Sequence, residues 1–253
     1  MNRRLLCVTA HPDDESGGFG GALLSSHREG IETNLLCFTD GQAAHYRGDA
    51  KDAADLGQRR RSELAEACDV LGVTRHEVLD YEDGELMKEA IHLIIGEVVQ
   101  RIRLLRPQVV LTFGGDGAVN LHRDHTVISL ATTAAFHWAG RPEFFHEQVD
   151  GGLAAYTPRK LYYLSTPFVA VRDRPELSNA AVVPWSLSLD TSGDLWEKKI
   201  EAFSKHTTQA GVLDRVREMI GEHKDYERYL LAAAPQSLDV SEDTALFQGV
   251  TAD

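Results

Sequence analysis

Only three cysteines occur in 253 residues, Cys7, Cys37 and Cys68, and they are odd in number, far apart and set in apolar surroundings. That excludes a disulfide framework and a zinc knuckle; the expectation is reduced core residues in a cytoplasmic protein. No apolar run approaches the roughly 20 residues of a membrane span, so no membrane span is expected. Met1-Asn2-Arg3-Arg4 runs into only about six apolar-leaning residues before His11, short of a secretory core segment. Basic charge is scarce as well: 26 Lys and Arg stand against 39 Asp and Glu, a formal net charge of −13. Such a chain is a poor partner for a phosphate backbone, and Arg59-Arg60-Arg61 is a short basic run among acids, so no nucleic acid is expected. Internal repeats, low-complexity tracts and a flexible interdomain linker are also missing.

What is present is an ordinary globular balance, 43% hydrophobic and 26% charged, enough for a sizeable core. Apolar runs predict strands at Leu5–Ala10, Asn34–Thr39, Glu77–Tyr81 and Gln108–Phe113; the first, second and fourth have the continuous character of strands buried on both faces. Helical patterns fall between them, at about Gly17–Glu29, Leu56–Leu71 and Leu86–Leu105, and another runs from His122 or Asp124 to about Ala139. Gly30 and Gly72 stand at C-terminal cap positions, and Pro107 stops the third helix. This order predicts an α/β, Rossmann-like, mostly parallel sheet with helices on both faces. After about Gly140 the pattern changes to shorter strands at Lys160–Ser165, Val169–Val171 and Val182–Leu189, with helices near Leu195–Lys205 and Val212–Leu231. The expectation is one domain, 1–253, in which a core (1–140) carries an α+β extension (141–253) whose last dozen or so residues are loose.

Two stretches carry chemistry. His11-Pro12-Asp13-Asp14-Glu15 follows the first strand directly, so an imidazole and adjacent carboxylates arrive at the rim of the sheet in a turn that proline stiffens. Dehydrated groups of this kind are hard to justify by folding alone and point to a metal ion with an activated water. Asn120-Leu121-His122-Arg123-Asp124-His125 follows the fourth strand and a glycine-rich turn, Gly114-Gly115-Asp116-Gly117. First and fourth strands are neighbours in a doubly wound sheet, and the crevice at their carboxyl ends is where ligands bind. Two imidazoles and a carboxylate with room for water match a catalytic zinc site, one ion per chain, though Fe(II) or another divalent metal uses the same set. On this reading His11, Asp14 and His125 are ligands and Asp13 takes a proton from water. His122, held protonated by Asp124, stabilises an oxyanion or protonates a leaving amine. The reaction class is metal-assisted hydrolysis of an amide-like bond.

These two motifs, in this order, resemble the PIG-L (LmbE-like) family of de-N-acetylases. The resemblance extends through Thr39-Asp40-Gly41, Leu56-Gly57 with Arg60 and Glu63, Asp83-Gly84-Glu85-Leu86, Thr112-Phe113 with Asp116-Gly117, and His206-Thr207-Thr208-Gln209. It implies a Rossmann-like fold, one divalent metal, usually zinc, and removal of an acyl group from an N-acylated amino sugar or similar amide. By that likeness His11, Asp14 and His125 are ligands, Asp13 the base, His122 with Asp124 the electrostatic partner, and Arg60 the arginine that approaches substrate. The chain departs from the family at Leu121 and Arg123, where glycine and proline are common, and at Gln42, where many members carry glutamate; these changes bear on specificity.

Simpler readings exist for single residues. Asp13 or Asp14 could cap a helix beginning near Ser16, and Arg60 with Glu63 could be a helical ion pair. His206 and Gln209 read as loop or helix-end polar groups unless the C-terminal segment folds over the cleft. Gly17-Gly18-Phe19-Gly20-Gly21 lacks dinucleotide spacing and reads as close packing of helix on sheet. The function expected is zinc-dependent deacetylation of a small N-acetylglucosaminyl compound, with a homo-oligomer allowed for. The rivals are an amidase for a larger amide, such as a thiol conjugate or antibiotic side chain, and a non-catalytic sugar or nucleotide binder on the same fold.

Overall fold

The apolar runs become strands of one seven-stranded sheet, three of them inner and the run at Glu77–Tyr81 an edge, in the computed structural model, which describes residues 3–165, 184–220, 225–234 and 244–251. β1 (Arg4–Thr9), β2 (Glu32–Thr39), β3 (Arg75–Tyr81), β4 (Val109–Phe113) and β5 (Lys160–Leu164) are parallel and stand in the order β3-β2-β1-β4-β5. Beyond β5 come β7 (Tyr226–Ala233) and then β6 (Leu187–Asp190), with β7 antiparallel to both neighbours. The sheet is therefore mostly parallel, as expected. β1 lies inside the sheet, between β2 and β4, because Leu5, Leu6, Cys7 and Val8 have no polar face to give to water, and all four are fully buried. β1 pairs directly with β4, Leu5 opposite Val109, so the two motif turns leave the same edge of the sheet side by side.

Helices connect the strands. α3 (Ala53–Leu71) starts at Asp52, whose side chain accepts the Asp55 amide, and stops at Gly72 in the left-handed conformation. α4 (Ile91–Leu105) ends at Arg106, just before Pro107, and packs on α5 (Arg123–Trp138). The helix expected over 17–29 is two: α1 (Asp14–Gly17) and α2 (Gly20–Arg28). The break has a long-range cause. Glu227 on β7 accepts the amides of Gly21 and Ala22 at 2.7 and 2.9 Å, giving α2 an N-terminus of its own. The glycines here serve close packing: a Cβ on Gly18 would lie 2.8 Å from Leu164 and one on Gly21 2.3 Å from Thr191. The helix expected over 86–105 is likewise divided, since Glu89 and Ala90 are extended between a 3-10 turn, Leu86–Lys88, and α4.

The later chain holds the larger corrections. A short α6 (His146–Asp150) precedes β5, and α7 (Asp194–Ser204) replaces the helix expected over 195–205 almost unchanged. Residues 212–231 are not one helix: α8 (Ala210–Ile220) is followed by strand β7, because pairing to β5 and β6 overrides the helix-forming Leu and Ala residues of that segment. The strand expected at 169–171 lies outside the described residues, and of the one expected over 182–189 the structure shows β6. Two contacts dock this extension on the core: the Phe19 ring, which also meets Phe113 at 5.5 Å, lies 6.4 Å from Tyr229, and Glu227 holds the Gly21 and Ala22 amides. Within the extension Lys199 Nζ lies 2.5 Å from Glu227 Oε1, both side chains almost wholly buried, and so steadies that second contact. α7 packs against both α2 and α3.

Candidate metal centre

The turn after β1 is folded tightly around Asp14. Its Oδ2 accepts the amides of His11 and Ala10 at 2.8 and 3.2 Å, which leaves Oδ1 free. Asp13, the residue before it, is left-handed at φ 119°. After β4 the chain makes a second strained turn, with Gly117, Ala118 and Leu121 all at positive φ. Leu121 (φ 55°) thus occupies the kind of position that glycine fills without strain. His122 caps α5: its Nδ1 accepts the Asp124 amide at 3.2 Å. His125 lies one turn on, its ring stacked on Phe113 at 3.9 Å.

Ring tautomers follow from these partners. His125 Nδ1 is 2.9 Å from the Gly117 carbonyl, which can only accept, so Nδ1 holds the proton and Nε2 the lone pair. That Nε2 is buried, has no hydrogen-bond partner, and sits 3.1 Å from Asp14 Oδ1. His11 Nε2 lies 3.0 Å from Asp83 Oδ1 and 3.2 Å from Asp124 Oδ2, so it donates to carboxylates and turns the lone pair of Nδ1 towards Asp14, whose Oδ2 is 3.5 Å away. Two imidazole lone pairs therefore converge on one carboxylate, an assembly of acceptors that only a cation or extra protons can satisfy. The donor set fits a divalent metal. His11, His122 and His125 also bring ring nitrogens within 4.8 Å of one another. His122, however, spends Nδ1 on its helix cap, so its neutral ring carries the proton on Nε2 and offers a donor instead of a ligand.

Burial and neighbouring charge set the titrations. Burial pushes the Asp13 carboxyl up from 3.8 to about 6; the Arg60 guanidinium opposes this and the Asp14 charge adds to it. With no cation bound, extra protons on the two rings take its place, and burial of Asp14 is then outweighed by the His125 charge and by the bonds from both protonated histidines, which hold the carboxyl well below the usual range. Burial lowers His122, and the His11 and His125 charges lower it further. His11 is raised despite burial by its bonds to Asp124, Asp14 and Asp83.

The structure brings His11, Asp13, Asp14, His122, Asp124 and His125 into one cluster, with two differences in pairing. The Asp124 carboxylate, fully buried, goes to His11 and to the Gly84 amide (2.7 Å) and not to the His122 ring. Arg60 is 2% exposed; it donates to the Pro12 and Gly41 carbonyls and to Asp13 Oδ2 at 3.0 Å. Nor does Glu63 pair with it, since its carboxylate accepts from Thr207 Oγ1, Thr208 N and Thr208 Oγ1 at 2.6 to 2.8 Å. Arg123 is exposed at the first position of α5. Sequence reasoning assigned no role to Asp83 or to the pair Glu15 and His206, whose Oε1 and Nε2 are 2.6 Å apart with both side chains fully buried. Each holds the other's charged form against burial. The signal for Asp83 was its place in Asp83-Gly84-Glu85; nothing local marks His206 as a partner of residue 15.

Comparison with known proteins places the chain in a family. The PIG-L family, described as GlcNAc-PI de-N-acetylase, matches residues 6–136. Mycothiol S-conjugate amidase of Streptomyces coelicolor is 32% identical over 179 residues, 63% of this chain and 60% of that protein. The 1D-myo-inositol 2-acetamido-2-deoxy-alpha-D-glucopyranoside deacetylase of Thermobispora bispora is 31% identical over 209 residues, 73% of this chain and 66% of that protein. The chain thus spans less than two thirds of the length of either relative. In fold, it is similar to N,N'-diacetylchitobiose deacetylase from Pyrococcus horikoshii, with a TM-score of 0.72 at 23% identity over 90% of this chain and 82% of the other.

Proposed function

The chain belongs to the PIG-L family of de-N-acetylases, and from that premise we propose that it is a metal-dependent hydrolase removing the acetyl group from a small N-acetylglucosaminyl compound. The observation that carries the reading is the unpartnered His125 Nε2 facing Asp14 Oδ1 at 3.1 Å. His11 Nδ1, Asp14 Oδ1 and His125 Nε2 would hold one zinc ion, or Fe(II), for which the donor set is equally suited. When bound, the ion supplies Lewis acidity towards the amide carbonyl and the attacking water.

The protein supplies the rest. Asp13, partly open to solvent and with its carboxyl raised to about 6, is matched to taking a proton from water near neutral pH. His122, neutral and with its remaining N–H beside the two ligand imidazoles, donates to the oxyanion as it forms. The N–H of a neutral imidazole is too weak an acid to protonate an amine, so the proton gained by Asp13 is the one that goes to the leaving amine. Asp83 and Asp124 orient His11 by taking its Nε2–H, the carboxylate–histidine arrangement that fixes a ligand's tautomer. Arg60 grips the Asp13 turn.

A second reading, amide cleavage in a larger conjugate, is favoured by the likeness to the Streptomyces coelicolor amidase. Among the described residues no helix is long and apolar enough to cross a membrane. Three buried, unpaired cysteines support a reducing, cytoplasmic setting. Because β5, β6 and β7 continue the sheet begun by β1, we read the described residues as one domain. Metal analysis coupled to an amine-release assay tests the function. Turnover of N-acetylglucosaminyl compounds over thiol conjugates supports the first reading and the reverse order the second; no amine from any substrate by metal-replete protein refutes both.

A further inference from the structure

Asp13 is the one non-glycine residue of the metal turn held in the left-handed region, and at φ 119° and ψ −23° it sits where L side chains rarely go. Such a conformation persists only when neighbours over-determine it. Arg60 fixes the side chain and the preceding Pro12 carbonyl. The backbone N–H has a different holder. It donates at 2.9 Å to Glu15 Oε2, so that carboxylate reaches back over the start of α1. Glu15 is fully buried, and a buried carboxylate wanders or protonates unless its second oxygen is also engaged. Two groups engage it: the adjacent Ser16 Oγ at 2.6 Å, and His206, the one charged partner, with Nε2 2.6 Å from Oε1 across 191 residues of sequence.

We propose that His206 is a positioning residue for the reaction: by pinning Glu15 it pins the Asp13 amide, and so keeps the Asp13 carboxylate where it works. The geometry behind His206 is specific. Thr207 and Thr208, which follow it, are fastened to Glu63, and Glu63 stands three residues from Arg60 on α3. Both grips on Asp13, through its side chain and through its amide, therefore trace to one helix. A plain docking role for His206 is superfluous, because Lys199, Glu227 and Tyr229 already fasten the extension to α2 and Phe19. The inference rests on Asp13 acting as the base.

The test uses the full chain with His206→Leu and His206→Gln. Zinc per chain, melting temperature, kcat and KM are measured on a substrate the wild type cleaves, together with NMR-detected exchange of the Asp13 amide in the metal-free protein. The expected result for His206→Leu is a kcat lowered at least about tenfold with KM and zinc content unchanged. Its Asp13 amide should exchange at least about tenfold faster. His206→Gln, which keeps an N–H towards Glu15, should recover most of both. Wild-type kcat in His206→Leu, zinc lost in step with activity, or an Asp13 amide exchanging at the wild-type rate each overturns the proposal. Should His206→Leu fail to fold, isosteric Glu15→Gln is read the same way. If the wild type cleaves nothing, the base assignment fails, while the exchange measurement still decides whether His206 holds Asp13.

Discussion

His125 Nε2 and Asp14 Oδ1 stand 3.1 Å apart in a buried site, and neither is a donor. Without a cation or an extra proton this contact is repulsive. Metal-stripped protein should therefore take up one divalent ion per chain and melt at a higher temperature once loaded, a gain of about 2.7 kcal/mol at a free concentration 100 times Kd. His125→Ala should abolish both the stoichiometry and the shift. Elemental analysis and paired melting curves check this, and an unshifted melting curve for loaded wild type contradicts it.

Asp13→Ala should keep the metal and lose turnover. Removing a general base typically costs about 10²–10⁴ in rate. The comparison requires equal zinc content in the two proteins; a metal-replete Asp13→Ala enzyme working at the wild-type rate contradicts the role given to this carboxylate.

The raised Asp13 pKa has a signed effect on stability. In metal-free protein the folded state keeps this proton up to about pH 6, whereas the unfolded chain releases it near 3.8. Between those values the folded state binds more protons, so stability falls as pH rises, and the full cost is present above 6. Asp13→Asn removes that cost. The melting temperature of metal-free Asp13→Asn relative to wild type should climb between pH 3.8 and 6 and level off above; a difference that shrinks over this range refutes the assignment.

Asp83→Asn and Asp124→Asn should weaken metal binding by about 10–100-fold, since both carboxylates orient the His11 ring without touching the metal. Titration with a competing chelator measures this. Unchanged affinity in both variants would mean that His11 needs no such orientation.

Gly41→Ala should damage the site from a distance. Gly41 is left-handed at φ 69°, and a Cβ there would fall 2.0 Å from Arg60 Nη1. Arg60 must move, and with it the Pro12–Asp13 turn it grips. A stability loss of about 1–3 kcal/mol is expected from the backbone alone. Reduced kcat at unchanged zinc content distinguishes displacement of Arg60 from simple unfolding.

Much of this fold and its centre is legible in the sequence for definite reasons. β1, β2 and β4 are buried on both faces, so each carries a continuous apolar run (residues 5–8, 35–38 and 109–111) that cannot be mistaken for surface helix. His11, Asp13 and Asp14 sit in one short turn, and His122 and His125 one helical step apart, so local spacing exposes both motifs. What stays hidden is non-local. The Tyr226–Ala233 segment is rich in helix formers and becomes a strand only because β5 and β6 offer it edges. α2 parts from α1 because Glu227 arrives to cap it. Asp124 passes over the nearby His122 ring for His11, 113 residues away, a choice made by the pairing of β1 with β4 and not by sequence neighbours.

Glu227 reaches α2 from more than 200 residues downstream, across a separation of 206 positions to Gly21. The helix immediately behind the metal turn is thus finished by a strand that lies more than 200 residues after it. A chain can lay down every strand of the parallel half and still carry an unfinished turn. Closing that turn is tied to the pairing of β7 with β5 and β6, so the parallel and antiparallel halves of the sheet reach their final form together.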